Sequence, residues 1–172
     1  MVIRKRWMVV AGSALVLLGL YVFRTYPRSV AVTLHGVQYK LGTPKQGVTP
    51  VTLTLHGTRE RSMFGPETFH GIVDIYGATM PDRTNGKYLT IPFEPHFGGL
   101  LVYYSRSNQF REYGAIYPNG SFTKLVVQEW QHSSWSGADG LVVAAPARTR
   151  AQALRLSNKL MKSFLFPGHP LK

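Results

Sequence analysis

One apolar run near the start of the chain most constrains the fold that this chain can adopt. The run extends from Trp7 to Phe23 without a charged residue, and Arg4, Lys5 and Arg6 precede it. At about 1.5 Å of rise per helical residue, a helix of this length spans about 25 Å, the short end of what crosses a bilayer core. The pattern therefore predicts an N-terminal transmembrane helix.

A cleaved signal peptide is the alternative, because it also begins with basic residues and an apolar stretch. The run exceeds the roughly 7 to 15 residues of a signal-peptide core, and no small-x-small cleavage site follows it before Pro27. We therefore predict a retained signal anchor. Fewer basic residues follow the run than precede it, so the positive-inside rule places the N-terminus in the cytoplasm.

These features divide the chain into two predicted parts. Residues 1–28 form a cytoplasmic basic stub and the signal anchor, and residues 29–172 form one exported, β-rich domain that ends in a helix over residues 149–166. About 145 residues are enough for one domain with a sizeable core. The predicted localisation is the cell membrane, in single-pass form, with the C-terminal domain extracytoplasmic in the cell envelope.

The charge balance indicates anionic partners. The chain has 20 Lys and Arg against 8 Asp and Glu, and its formal net charge is +12. Five of the basic residues lie at or before Arg28, which leaves about +7 on the exported part. Outside a membrane such a charge suits anionic lipid or wall polymer and not nucleic acid. The absence of cysteine excludes disulfides, thiolate metal sites and cysteine nucleophiles.

Beyond the predicted anchor, β-branched and aromatic runs alternate with Gly, Pro and Asn, which is typical of antiparallel sheets. The alternation is clearest at Val51, Leu53 and Leu55, which predicts one face turned inward. The candidate strands are Val30–Leu34, Val37–Lys40, Val51–Leu55, Phe69–Tyr76, Tyr88–Phe93, Leu100–Ser105, Glu112–Tyr117, Phe122–Glu129 and Gly140–Ala144.

A different period marks the end of the chain. Thr149 and Gln152 have the spacing of a capping box, and the apolar residues that follow fall within one half of a helical wheel. Such a helix packs on a sheet. The predicted fold class is therefore α+β: an N-terminal transmembrane helix, then a mainly antiparallel β-sheet or β-sandwich domain with a C-terminal amphipathic helix.

Six histidines raise the possibility of a metal site, because neutral imidazole is a common ligand of zinc and copper. No two of them have the spacing of a zinc protease motif, and none belongs to a cluster of carboxylates. His35 and His56, each before a glycine, could meet across neighbouring strands. We predict no metal and no cofactor.

Catalysis has one candidate constellation. An envelope hydrolase could assemble its acid and base groups from His70, Asp74 and Glu94 in the folded chain. Each of these residues is equally suited to a solvated or salt-bridged surface position. We therefore favour a non-catalytic protein over an enzyme.

Aromatic residues offer a second kind of contact. Most of them suit core or cross-strand positions. The polar segment 131–137, with Trp135 in its middle, is the best candidate for an exposed loop with a contact residue. Exposed aromatic residues would also suit an assembly subunit that docks on a membrane protein partner, and that possibility stays open.

Two stretches resemble a known group of proteins. They are residues 61–73 (Arg61-Ser62-Met63-Phe64-Gly65-Pro66-Glu67-Thr68-Phe69-His70-Gly71-Ile72-Val73) and residues 140–147 (Gly140-Leu141-Val142-Val143-Ala144-Ala145-Pro146-Ala147). The chain resembles small membrane-anchored proteins of unknown function from Bacillus-like Gram-positive bacteria. The resemblance implies the same layout of anchor and β-rich domain, and it implies no activity or functional residues.

Together these observations predict a non-catalytic binding or accessory domain in the cell envelope. Its basic surface would contact anionic lipid or wall polymer. The predicted contact residues are Arg148, Arg150, Arg155, Lys159, Lys162 and Trp135.

Overall fold

Alternating apolar residues line one face of every long strand, and the chain buries that face by curling one sheet onto itself. The computed structural model describes residues 15–44, 46–62, 65–78, 88–104, 110–131 and 134–172. The elements are the helix α1 over residues 15–25, the strands β1 (Arg28–Lys40), β2 (Thr49–Arg61), β3 (Glu67–Tyr76), β4 (Leu89–Glu94), β5 (Gly98–Tyr104), β6 (Phe110–Pro118), β7 (Leu125–Glu129) and β8 (Leu141–Ala145), and the helix α2 (Arg150–Leu160).

The eight strands form a closed antiparallel barrel in which each strand pairs with its neighbours in sequence. Closure depends on β1, which pairs with β2 along residues 28–38 and with β8 along residues 37–40. Gly36 lies where β1 turns from one partner to the other, and a Cβ there would collide with the carbonyl oxygen of Ala144. Glycine therefore permits the close approach that seals the barrel.

The interior is an apolar core. In β2, Val51, Leu53 and Leu55 are at most 4% exposed, while the intervening Thr52 and Thr54 face outward, so the predicted alternation is confirmed. An eight-stranded barrel has an interior that side chains can fill. The other large contributors to this core are Phe69, Ile91, Leu101, Ile116, Leu125, Val127 and Val143.

Phe122 closes the end of the barrel at which β1 begins. It lies in the turn between β6 and β7, adopts a positive φ of 59° and is 1% exposed. Its ring stacks on Phe69 with centroids 5.8 Å apart and meets Phe93 edge-on at 5.6 Å. The guanidinium of Arg59 lies 5.8 Å from the Phe122 ring and pairs with Glu67 at 3.1 Å.

A second core lies outside the barrel wall, under α2. Met161 and Ala153 from the helical segment are fully buried, and they pack among outward-facing residues of β1, β6, β7 and β8 that include Tyr39 and Val126. The predicted packing of this helix on the sheet is confirmed. The helix itself ends at Leu160 and not at residue 166.

The predicted fold class is wrong. The chain forms a closed eight-stranded barrel and not an α+β domain with an open sheet or a sandwich behind a transmembrane helix. The predicted strands Val30–Leu34 and Val37–Lys40 are one continuous strand, and β7 begins at Leu125 because Phe122 belongs to the preceding turn. The predicted strand Val51–Leu55 lies within β2, which extends six residues further, and the bounds of the remaining predicted strands differ from the observed ones by at most two residues.

The prediction of a membrane anchor is also corrected. Within the part of the chain that the structure describes, no helix is long and apolar enough to span a membrane. This finding contradicts the predicted transmembrane signal anchor, and with it the single-pass localisation at the cell membrane and the envelope assignment that rested on it. Residues 7–14 of the apolar run lie outside the described residues.

Candidate functional site

The helix α2 presents the basic residues that the sequence singles out. Its start is fixed by Thr149, whose hydroxyl accepts a hydrogen bond from the backbone N–H of Gln152 at 3.3 Å. The amide oxygen of Gln152 accepts from the backbone N–H of Arg148 at 2.9 Å. The capping box is thus present, with the return bond displaced by one residue.

The inner face of α2 is held by a buried hydrogen bond. The hydroxyl of Tyr39 donates to Oγ of Ser157 at 2.9 Å, and Ser157 is fully buried. Burial raises the pKa of Tyr39, although the bond to Ser157 and the charge of Arg150 act against this rise. The helix therefore has a fixed rotation about its axis, which decides which residues face outward.

Four of the six predicted contact residues are exposed cations. Arg155 and Lys159 are exposed and stand at i and i+4, which places them on one face of α2, and Lys162 is exposed in the turn that follows the helix. Arg148 is exposed just before the helix. No acidic residue lies in the first turn of α2. The result is a strip of positive charge, which we call the basic strip and define as these four residues.

Arg150 does not belong to the basic strip. It is half-buried, and its guanidinium donates to the carbonyl oxygens of Lys40 and Lys172, both at 3.3 Å. The same group lies 5.6 Å from the centroid of the Tyr39 ring. These contacts tie the start of α2 to the end of β1 and to the last residues of the chain.

Trp135 is half-buried and forms part of a wall. Its indole N–H donates to the carbonyl oxygen of Leu141 at 3.0 Å, and its ring meets Phe164 edge-on at 5.9 Å. Trp135 lines a groove of about 660 Å³, which we call the aromatic groove. Its lining comes from residues 96–97, 135–138 and 164–171 and includes His96, Phe97, Phe164, Phe166 and His169.

The aromatic groove is not predicted from the sequence. The groove is formed by three segments that are far apart in the chain, so no local sequence motif indicates it. Its signal in the structure is exposure, since Phe97 is 70% and Phe166 81% exposed, and both line the same groove. Large exposed apolar groups that converge are typical of binding surfaces.

A buried acid in the barrel interior is also not predicted from the sequence. Glu129 is 7% exposed and accepts a hydrogen bond from the amide of Gln38. Burial raises the pKa of Glu129, and hydrogen bonds with Gln38 and Tyr113 act in the opposite direction. The signal was the alternation of β7, because Leu125, Val127 and Glu129 fall on the same inward face.

The residues of the hydrolase alternative do not come together. His70 and Asp74 lie on β3 four residues apart, which separates them by about 13 Å at about 3.3 Å per residue. Glu94 follows Phe93, which pairs with Glu67 at the start of β3, whereas Asp74 lies near the other end of β3. His70 instead bonds Thr90 at 3.1 Å, on the outer face of the barrel wall.

The histidines give no metal site in the described residues. No three His, Asp or Glu side chains there are grouped so that they could hold an ion. The strand register sets His35 opposite Thr52 and His56 opposite Ala31, so the suggested meeting of the two histidines does not occur. His132 lies outside the described residues.

Comparison with protein-family models, curated proteins and solved structures finds no match to this chain. The resemblance drawn from residues 61–73 and 140–147 thus stays a prediction from sequence. Any proposal for function must depend on the site itself.

Proposed function

We propose that this chain is a non-catalytic binding domain that contacts anionic lipid head groups through the basic strip of α2. The observation that carries the proposal is a one-sided charge distribution. From Gly140 to Lys172 the chain contains six Lys and Arg and no Asp or Glu. Four of these cations form the basic strip, and none of the four forms an ion pair among the described residues.

The packing of α2 supports the proposal, because the helix presents its cations on a fixed support. The inner face of the helix carries Ala153, Ser157 and Met161, which are all buried, so the apolar half of the helix is not available to a ligand. The outer side exposes the flexible, strongly hydrated ammonium groups of Lys159 and Lys162. Such groups attract a negatively charged surface without requiring one exact geometry.

Lipid suits this face better than a phosphate-bearing polymer. A polymer of that kind would be held by charge alone. Here Phe97 and Phe166 are exposed in the groove formed partly by the residues that follow α2. Exposed cations together with exposed aromatic rings are the combination that binds the interface of an anionic bilayer.

The test is vesicle sedimentation with the full-length chain. The double variant Lys159→Gln/Lys162→Gln should lose about 2 kcal/mol of binding free energy, because each cation near an anionic surface contributes about 1 kcal/mol. This loss corresponds to about 30-fold weaker binding to vesicles of anionic phospholipid. Binding to purely zwitterionic vesicles should not change.

The matched control is Arg28→Gln/His56→Glu. It shifts the net charge by the same amount at two exposed positions of β1 and β2. If the two double variants bind anionic vesicles equally, net charge alone explains the binding and the basic strip has no special part. Unchanged binding in the α2 variant would also exclude the proposal.

A further inference from the structure

We propose that the aromatic groove binds one acyl chain of the anionic lipid whose head group meets the basic strip. This inference rests on the proposed function and adds the apolar part of the ligand. It treats the domain as a binder of single lipid molecules and not only of a charged surface. The groove volume of about 660 Å³ is within the range of small-molecule sites.

The floor of the groove is rigid. Trp135 is held by its hydrogen bond to the carbonyl of Leu141. Gly140 lets the indole lie close against the backbone, because a Cβ at that position would meet Trp135 Cδ1 at 2.7 Å. Phe164 packs against both Trp135 and Tyr117, with centroids 5.9 Å from each. An apolar ligand therefore meets a preformed surface.

The outer wall is also held in place. Asn158 of α2 accepts from the backbone N–H of Leu171 at 2.7 Å and donates to its carbonyl oxygen at 3.2 Å. Arg150 and the backbone N–H of Gly42 both bond the carbonyl oxygen of Lys172 at 3.3 Å. Because the segment from residue 162 to 172 is fixed at its far end, binding needs little ordering of the chain.

Two phenylalanines point to an apolar occupant. Phe97 and Phe166 are 70% and 81% exposed and lie on two different segments of the groove lining. An acyl chain between them would remove both rings from water. A polar occupant would leave them exposed.

Charge complementarity gives the sign of the head group. Lys162 lies two residues before Phe164, and His96 and His169 line the groove itself. Nδ1 of His96 donates to the carbonyl oxygen of Ser163 at 3.1 Å. The acidic residues nearest in sequence to the lining are Asp139 and Glu94, both exposed. Six of the eleven lining residues, however, belong to the stretch from Gly140 to Lys172, which has six Lys and Arg and no Asp or Glu. A chain with an anionic end is therefore favoured over one with a cationic end.

The experiment uses alkyl phosphates of 8, 10 and 12 carbons, kept below their micelle concentrations, with the full-length chain. Binding is followed by calorimetry and by tryptophan fluorescence. Each added methylene should strengthen binding about fourfold, or about 15-fold for each step of two carbons. Alkyltrimethylammonium ions of the same lengths should bind at least tenfold more weakly.

Groove variants localise the effect. Phe97→Ala and Phe166→Ala should each weaken binding of the 12-carbon phosphate about tenfold and reduce its dependence on chain length. Tyr88→Ala is the control, because Tyr88 is 75% exposed and does not line the groove. Equal effects of all three variants, or affinity that does not change with chain length, would overturn the inference.

The two proposals fail separately. If anionic vesicles bind through Lys159 and Lys162 but alkyl phosphates show no preference for chain length, the acyl-chain inference is wrong and the proposed function stands. If alkyl phosphates bind in the groove with the expected dependence on chain length while the Lys159→Gln/Lys162→Gln variant binds vesicles as the wild type does, the proposed function is wrong, and only the binding of an acyl chain in the groove stands.

Discussion

Phe122 gives the sharpest test of how the barrel is closed. The change Phe122→Ala removes a ring that is 1% exposed and that contacts Phe69, Phe93 and the guanidinium of Arg59. Truncation of a buried phenylalanine costs about 3–5 kcal/mol, the sum of lost transfer free energy and a cavity. We expect about 4 kcal/mol, because the rigid barrel wall cannot collapse into the space.

The backbone at this position gives a second, independent expectation. The φ of Phe122 is 59°, a region that costs residues with a Cβ about 1–2 kcal/mol and glycine almost nothing. Phe122→Gly should therefore be at least as stable as Phe122→Ala, by up to about 1 kcal/mol. At an ordinary strand position the order is reversed, with glycine about 0.5–1 kcal/mol worse.

Urea unfolding followed by circular dichroism measures both effects. Phe97→Ala is the control, since Phe97 is 70% exposed and its loss should change the free energy of unfolding by less than about 0.5 kcal/mol. A loss below about 1 kcal/mol in Phe122→Ala would refute the claim that this ring closes the barrel. A Phe122→Gly variant clearly less stable than Phe122→Ala would refute the argument from the backbone.

The remaining predictions concern buried polar groups and the support of α2. Burial raises the pKa of Glu129 in the folded state above its ordinary value of 4.5, so the free energy of unfolding should fall as pH rises from that value through the raised pKa. Urea titrations between pH 4.5 and 8 should show this slope, and Glu129→Gln should remove it. Tyr39→Phe deletes the bond to Ser157 at 2.9 Å and should cost about 1–2 kcal/mol in thermal or urea unfolding. Arg150→Gln should cost about 2 kcal/mol of stability, because a charged donor loses two carbonyl partners, yet leave vesicle binding within twofold of wild type. Asn158→Ala should speed proteolysis between residues 162 and 172 at least threefold, whereas stability measured at the barrel core should change by less than about 2 kcal/mol.

Local patterns in the sequence predict most of the strands. They do not predict that the strands close into a barrel. The alternation at Val51, Leu53 and Leu55 identifies both β2 and its inward face. The pairing of β1 with β8 joins residues about a hundred positions apart and leaves no periodic signal. Gly36 lowers the strand propensity of β1, so the sequence suggests two strands where tertiary contacts make one.

The same limit applies to the candidate site. The cap at Thr149 and the basic face of α2 follow from helical spacing, because both depend on residues within one turn or two. The structural role of Arg150 depends on Lys40 and Lys172, which no local pattern connects to it. The sequence predicts Trp135 as a contact residue, and only the fold shows that it packs against Phe164 and lines a groove.

The most direct test of the binding proposal is a map of the ligand on the folded chain. Backbone amide shifts of the isotope-labelled full-length protein would be recorded while a short-chain anionic phospholipid is added below its micelle concentration. The account predicts the largest shifts along α2 at Arg155 and Lys159 and around the groove from residue 164 to 171. Shifts concentrated on the outer wall of β3 and β4, near His70 and Thr90, with α2 unchanged, would contradict it.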